Sequence, residues 1–191
     1  MKGLAVNSHG PNELDVIKKQ KLRVIDTETT GLKPRCDEVL SLTILDGRGA
    51  VLLNERFGTA RHRRWDEAQS VHGISPADVK GLPTLGECAD RVMRTLEGAV
   101  GFIGYNLGFD LAFLTASGVR WPKGLPLYDV MSEFARLHGL RNSRHPNGRW
   151  ASLTDCAQHY GYKFEAHPSL EDARATLFCY KCVRQEGGRP F

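Results

Sequence analysis

At 191 residues, with 41% hydrophobic and 25% charged side chains, the chain has the length and balance of one globular domain with a single sizeable core. No apolar run approaches the roughly 18–20 residues of a membrane span and the N-terminus lacks the apolar stretch of a secretory signal, so no membrane partner is expected and the expected location is the cytoplasm. The 26 basic and 22 acidic residues leave a net charge of +4, a mild lean toward acidic partners.

In chain order, residues 1–21 show little periodicity and several polar breakers (Asn7, Ser8, Gly10, Pro11), which reads as an N-terminal arm. Strands are expected near 22–27, 38–46 and 49–56, with Asp46-Gly47 as a hairpin signal between the last two. Thr84 with Glu87 makes a capping box, followed by Leu85, Cys88, Val92 and Leu96 at helical spacing. The run VGFIG at 100–104 is a fourth strand, after which Asn106 can cap a helix through Ser117, stopped by Gly118. A fifth strand ends near Asp129, and Ser152 with Asp155 opens a further helix. The last helix spans about 169–184, with Leu170, Ala173, Leu177 and Tyr180 facing inward. Strands followed by interleaved strands and helices predict an α/β fold, a mixed sheet covered by helices, as a single domain over 22–186 with a short tail at 187–191.

The distribution of charge adds to its sum. Lys18, Lys19 and Lys21 precede the first strand, Arg61, His62, Arg63 and Arg64 form a second cluster, and Arg141, Arg144 and Arg149 share a segment without acids. Each reads as solvated loop charge or, around a carboxylate site, as a surface that tracks phosphates. The five cysteines do not make a disulfide framework, and the Cys179/Cys182 pair lacks the second pair of a structural zinc site.

The stretch LRVIDTETTGL, residues 22–32, starts as a buried strand and then carries Asp26 and Glu28. Side chains two apart on a strand project from one face, so the two carboxylates share a direction and repel. A hard divalent cation between them resolves that conflict; a solvent-exposed strand end with arginine partners resolves it too. Further acids have local explanations: Asp110 as a first-turn acid complementing a helix dipole, and Asp172 as the partner of Ser169 in a capping box.

Together these residues resemble the DEDDh family of 3′–5′ exonucleases, DnaQ-like enzymes that include bacterial polymerase proofreading subunits. The resemblance rests on Asp26-Thr27-Glu28-Thr29-Thr30-Gly31-Leu32, on Asn106-Leu107-Gly108-Phe109-Asp110, on His167 with Asp172 five positions on, and on Glu67 through Ile74 between them. It runs in order over four-fifths of the chain. Tyr105 stands where many relatives have histidine, and Ser41 where many carry a second glutamate.

The resemblance implies an RNase H-like fold with a five-stranded mixed sheet flanked by helices. It also implies two divalent metal ions, Mg²⁺ or Mn²⁺, held by Asp26, Glu28, Asp110 and Asp172, with Asp26 bridging them and His167 as general base. Glu67 and His72 would contact the terminal nucleotide, Thr27 and Gly31 would frame its 3′ end beside Asn106, and Leu32 and Phe109 would wedge or stack on bases. Leu32, Ile74 and Phe109 are equally suited to core packing. The expected partner is nucleic acid with a 3′ end, DNA favoured over RNA, for proofreading or DNA repair and end trimming alongside a polymerase or other complex. An exoribonuclease of the same chemistry and a catalytically silent nucleic-acid-binding module are the alternatives.

Overall fold

A computed structural model describes residues 19–140 and 151–190. Five strands, β1 (Leu22–Thr29), β2 (Val39–Asp46), β3 (Val51–Arg56), β4 (Gly101–Gly104) and β5 (Leu127–Asp129), form one sheet in the order β3-β2-β1-β4-β5. β1 runs antiparallel to β2 and parallel to β4, so the sheet is mixed. Its helices are α1 (Asp66–His72), α2 (Ala89–Leu96), α3 (Leu107–Ala116), α4 (Val130–Leu137), α5 (Leu153–His159) and α6 (Ser169–Glu186). This is the expected five-stranded mixed sheet with flanking helices. No described helix is long and apolar enough to cross a membrane.

The alternation of β1 divides the core between the two faces of the sheet. Leu22 and Val24 pack with Tyr128, Phe134, Ala173 and Leu177 on the side of α4 to α6. Ile25 packs with Val92, Leu96, Leu111 and Phe113 on the side of α2 and α3. Tyr180 and Leu170, both expected to face inward, are half-buried against the α6 side. A smaller cluster of Leu40, Trp65, Ile74 and Val79 anchors α1, which settles Ile74 as core.

The β2–β3 connection forms where Asp46-Gly47 predicts it. Asp46 Oδ1 accepts from the main-chain N–H of Arg48 (2.8 Å) and Ala50 (2.9 Å), and a Cβ on Gly47 would lie 2.6 Å from the Lys19 carbonyl oxygen. That contact, with the Gly47 N–H donating to Lys19 O at 2.9 Å, ties residue 19 to the sheet.

Three local expectations need correction. The Thr84–Glu87 box forms, with Glu87 Oε2 accepting from the Thr84 N–H at 2.7 Å, but it closes a separate turn and α2 starts only at Ala89. Gly86 inside that turn disfavours continuous helix. Asn106 precedes α3 in the left-handed region (φ 63°) with no capping hydrogen bond from its side chain, a conformation asparagine tolerates. Ser169 is the first residue of α6 and not its cap, because its hydroxyl is engaged by the sheet. By contrast, the Ser152–Asp155 box caps α5 as expected. Arg141, Arg144, Arg149 and Lys18 lie outside the described residues.

Candidate active site

β1 outruns its parallel neighbour: β4 pairs with it only from Leu22 to Val24. Beyond Val24 the edge of β1 is open, at the carboxyl end of two parallel strands, the position where α/β sheets commonly bind ligands. Asp26 and Glu28 continue the Leu22/Val24 row toward α6, while Thr27 continues the Ile25 row toward α3. A register shift between Glu28 and Thr29 ends the regular ladder with β2 there.

Each side of the sheet contributes one more acid. Asp110, in the first turn of α3, is buried, and its Oδ1 accepts from the Thr27 hydroxyl at 2.7 Å. Asp172, in the first turn of α6, accepts the main-chain N–H of His167 at 3.1 and 3.2 Å. His167 itself is exposed, with φ at 84°. Donor atoms of Glu28, His167 and Asp172 all lie within 4.8 Å of one another.

These acids perturb one another strongly. Burial, then the charges of Asp110, Asp172 and Glu28, push the Asp26 carboxyl well above its ordinary range. Burial and then Asp172 and Asp110 raise Glu28 to about 8. Burial raises Asp110 to about 7, against the stabilising Thr27 hydrogen bond. Burial raises Asp172 too, opposed by the N–H and charge of His167. Asp26 Oδ2 is buried without a hydrogen-bond partner among the described residues. Four hard oxygen donors that repel, one of them with an orphaned atom, fit divalent cations such as Mg²⁺. The alternative of an exposed strand end paired to arginines does not hold: no described arginine forms an ion pair with any of the four.

The shell around the acids contains residues that motif reading left aside. Ser169 Oγ lies 2.8 Å from Ser41 Oγ and 2.9 Å from Thr43 Oγ1, all three residues buried. Ser41, the departure from the usual glutamate, thus helps pin the start of α6, and with it Asp172, to β2. The period-2 alternation of β2 places Ser41 and Thr43 on the α6 face, so their direction was readable while their partner was not. His72 Nδ1 accepts from the Ile74 N–H (3.1 Å), leaving Nε2 to face Thr29 O at 3.2 Å. Burial lowers the His72 pKa. His72 and His167 border a cleft of about 450 Å³ that Ser41 and Ser169 also line.

The other expected contacts separate. Gly31 packs closely on Asp37: a Cβ there would lie 2.6 Å from the Asp37 carboxylate, which would have to shift. Leu32 is 81% exposed above a groove lined by Gly108, Leu111 and Trp121, so core packing is ruled out for it. Phe109 is half-buried, its ring 4.7 Å from Phe113, and joins the core edge. Asn106 is exposed, its N–H donating to Asp129 Oδ1 at 3.3 Å. Glu67 stands exposed on α1. In the Arg61–Arg64 cluster, Glu38 accepts from Arg61 and His62, and Arg64 pairs with Asp66 at 2.8 Å, leaving much of that charge compensated. Cys179 is buried and Cys182 half-buried, both as free thiols.

The sequence model of the exonuclease family RNase_T matches residues 24–180. The chain belongs to this exonuclease family. It is 26% identical over 175 residues to RNA exonuclease 4 of Mycosarcoma maydis, covering 90% of this chain and 45% of that protein. It is also 26% identical over 161 residues to the PolC-type DNA polymerase III of Thermotoga maritima, covering 80% and 11%. The chain therefore spans less than half the length of these curated relatives.

Among solved structures, exonuclease X in complex with 5′ overhanging duplex DNA superposes with a TM-score of 0.64 at 18% identity, over 88% of this chain and 94% of that one. Exonuclease I of E. coli in complex with a dA16 oligonucleotide superposes at 0.69 and 18%, over 87% and 41%. Family and fold agree with the DnaQ-like, DEDDh pattern of the motifs on an RNase H-like sheet.

Proposed function

We propose that this exonuclease-family chain is a metal-dependent 3′–5′ exonuclease that hydrolyses the terminal phosphodiester of single-stranded or frayed DNA, releasing nucleoside 5′-monophosphates. The observation that carries the reading is the convergence of Asp26, Glu28, Asp110 and Asp172 from three elements around the orphaned Asp26 Oδ2, with His167 on their open side. The four carboxylates would hold two Mg²⁺ or Mn²⁺ ions. When bound, such ions supply Lewis-acid stabilisation of the charge that builds on the attacking and leaving oxygens.

The chain's own residues do the rest. Thr27 holds the Asp110 carboxylate in place, and the His167 main-chain N–H holds that of Asp172. Ser169, fastened to Ser41 and Thr43, fixes the helix start from which Asp172 projects. His167 takes the proton of the attacking water as general base, its exposed imidazole within reach of Glu28 and Asp172. Leu32 stands ready to meet the terminal base, with His72 and the backbone around Thr27 and Gly31 framing the 3′ end, and Glu67, Asn106 and Phe109 as outer contacts.

DNA is favoured because the superposed exonucleases X and I are described with DNA. A role in proofreading or trimming beside a polymerase accords with the PolC-type relatives. The second reading, an exoribonuclease, is favoured by the relative named RNA exonuclease 4. Rates on matched DNA and RNA ends separate the two. A protein that binds either strand without cutting it in Mg²⁺ or Mn²⁺ would instead be the silent binding module.

A further inference from the structure

Three helices end at one place on the side of the molecule away from the acids. His138 is the C-cap of α4, His159 the last residue of α5 and Glu186 the last residue of α6. Helix C-termini carry partial negative charge, so three of them together favour a cation. Glu186 lies fourteen residues beyond Asp172 on α6, a separation of about 21 Å at 1.5 Å per residue. The cluster is thus independent of the catalytic carboxylates and of the function proposed for them.

We propose that His138, His159 and Glu186 form a second metal site, selective for Zn²⁺ over Mg²⁺, that ties the ends of α4, α5 and α6 together. One donor atom from each of the three residues lies within 4.8 Å of the other two. His138 Nε2 and Glu186 Oε2 are 3.4 Å apart. Bond lengths of about 2.0–2.2 Å in a tetrahedral site put neighbouring donors roughly 3.3–3.5 Å apart, so this pair already spans one tetrahedral edge. His159 is exposed and its donor lies within 4.8 Å of both, so a side-chain rotation brings it to a third corner.

Two imidazoles and one carboxylate suit zinc and its transition-metal neighbours, whereas Mg²⁺ prefers oxygen donors alone. The surroundings fit a metal centre as well. The Tyr160 hydroxyl donates to Glu186 Oε2, orienting the carboxylate as an outer partner does for a ligand. The buried Phe134 ring packs 4.3 Å from the His138 ring and 5.4 Å from that of His159, giving the pair an apolar floor. Three protein ligands leave one position for water, and the site's role is to fasten helices.

The test uses the full chain with Asp26→Asn and Asp172→Asn, which weakens metal binding at the catalytic acids. Equilibrium dialysis against micromolar Zn²⁺, followed by metal analysis, should find one zinc per chain, and Zn²⁺ but not Mg²⁺ should raise Tm. Adding His159→Gln or Glu186→Gln, both at exposed positions, should weaken uptake at least tenfold and remove the Tm shift. In histidine-selective NMR the ring nitrogens of His138 and His159 should move on Zn²⁺ addition. No zinc uptake, uptake unchanged by both additional substitutions, or unmoved histidine resonances would overturn the proposal and leave the cluster as an ion pair only.

Discussion

Replacing Glu28 by Gln should stabilise the metal-free protein at alkaline pH. Glu28 has its pKa raised from 4.5 to about 8, chiefly by burial and then by Asp172 and Asp110. For an acid whose folded pKa is raised, the folded state holds more protons than the unfolded one between the two values. Stability is therefore complete below about pH 4.5 and is lost as pH climbs toward 8. At 1.36 kcal/mol per unit, the full shift corresponds to about 5 kcal/mol. Glutamine removes that cost but leaves a half-buried amide to satisfy, so the expected gain at pH 8 is about 2–3 kcal/mol. For a chain of this size that is a Tm rise of roughly 4–12 °C. The assay is thermal unfolding in EDTA at pH 5 and pH 8, comparing wild type with Glu28→Gln. The gain should be present at pH 8 and nearly absent at pH 5, where wild-type Glu28 is already neutral. An equal gain at both pH values, or a variant less stable at pH 8, would refute the raised Glu28 pKa that burial and the neighbouring acids produce.

Other expectations follow from particular contacts. His167→Ala should lower kcat by about 10²–10⁴ with little change in KM; a kcat close to wild type would remove His167 from the chemistry. Leu32→Ala should raise KM for single-stranded DNA by about 3–30-fold, from up to about 2 kcal/mol of lost apolar contact, with Tm unchanged because the side chain is 81% exposed. Ser169→Ala strands the buried Ser41 hydroxyl and leaves Thr43 with only its bond to Asn54 Oδ1, and should cost about 1–3 kcal/mol in urea unfolding. A variant as stable as wild type would show that these hydroxyls do not fasten α6.

The sheet and the acids were legible from sequence for different reasons. β1, β2 and β4 show runs of apolar residues bounded by turn signals, so their existence and approximate limits follow from pattern. The acids were legible because Asp26 and Glu28 break that pattern at a strand end, which no core requirement explains. What sequence did not reveal depends on tertiary partners. Ser169 with Asp172 looks like a capping box, yet Ser41 and Thr43, more than a hundred residues earlier, claim the Ser169 hydroxyl and His167 supplies the N–H to Asp172. Asn106 reads as a cap, but the turn out of β4 requires a positive φ there. Leu32, Ile74 and Phe109 were equally apolar in sequence, and only the fold sorts them into exposed, buried and half-buried. The three helix ends that gather His138, His159 and Glu186 have no local signature, since their spacing along the chain is set by packing alone.

The central claim is that Asp26, Glu28, Asp110 and Asp172 together make a metal-dependent nuclease centre. It is tested most directly by incubating 5′-labelled single-stranded DNA and RNA of matched sequence with purified protein in Mg²⁺ or Mn²⁺, beside EDTA and Asp26→Ala controls. The account predicts a ladder of products shortened one nucleotide at a time from the 3′ end, faster on DNA and absent in both controls. Intact substrate under every metal condition, or undiminished cleavage by Asp26→Ala, would contradict it.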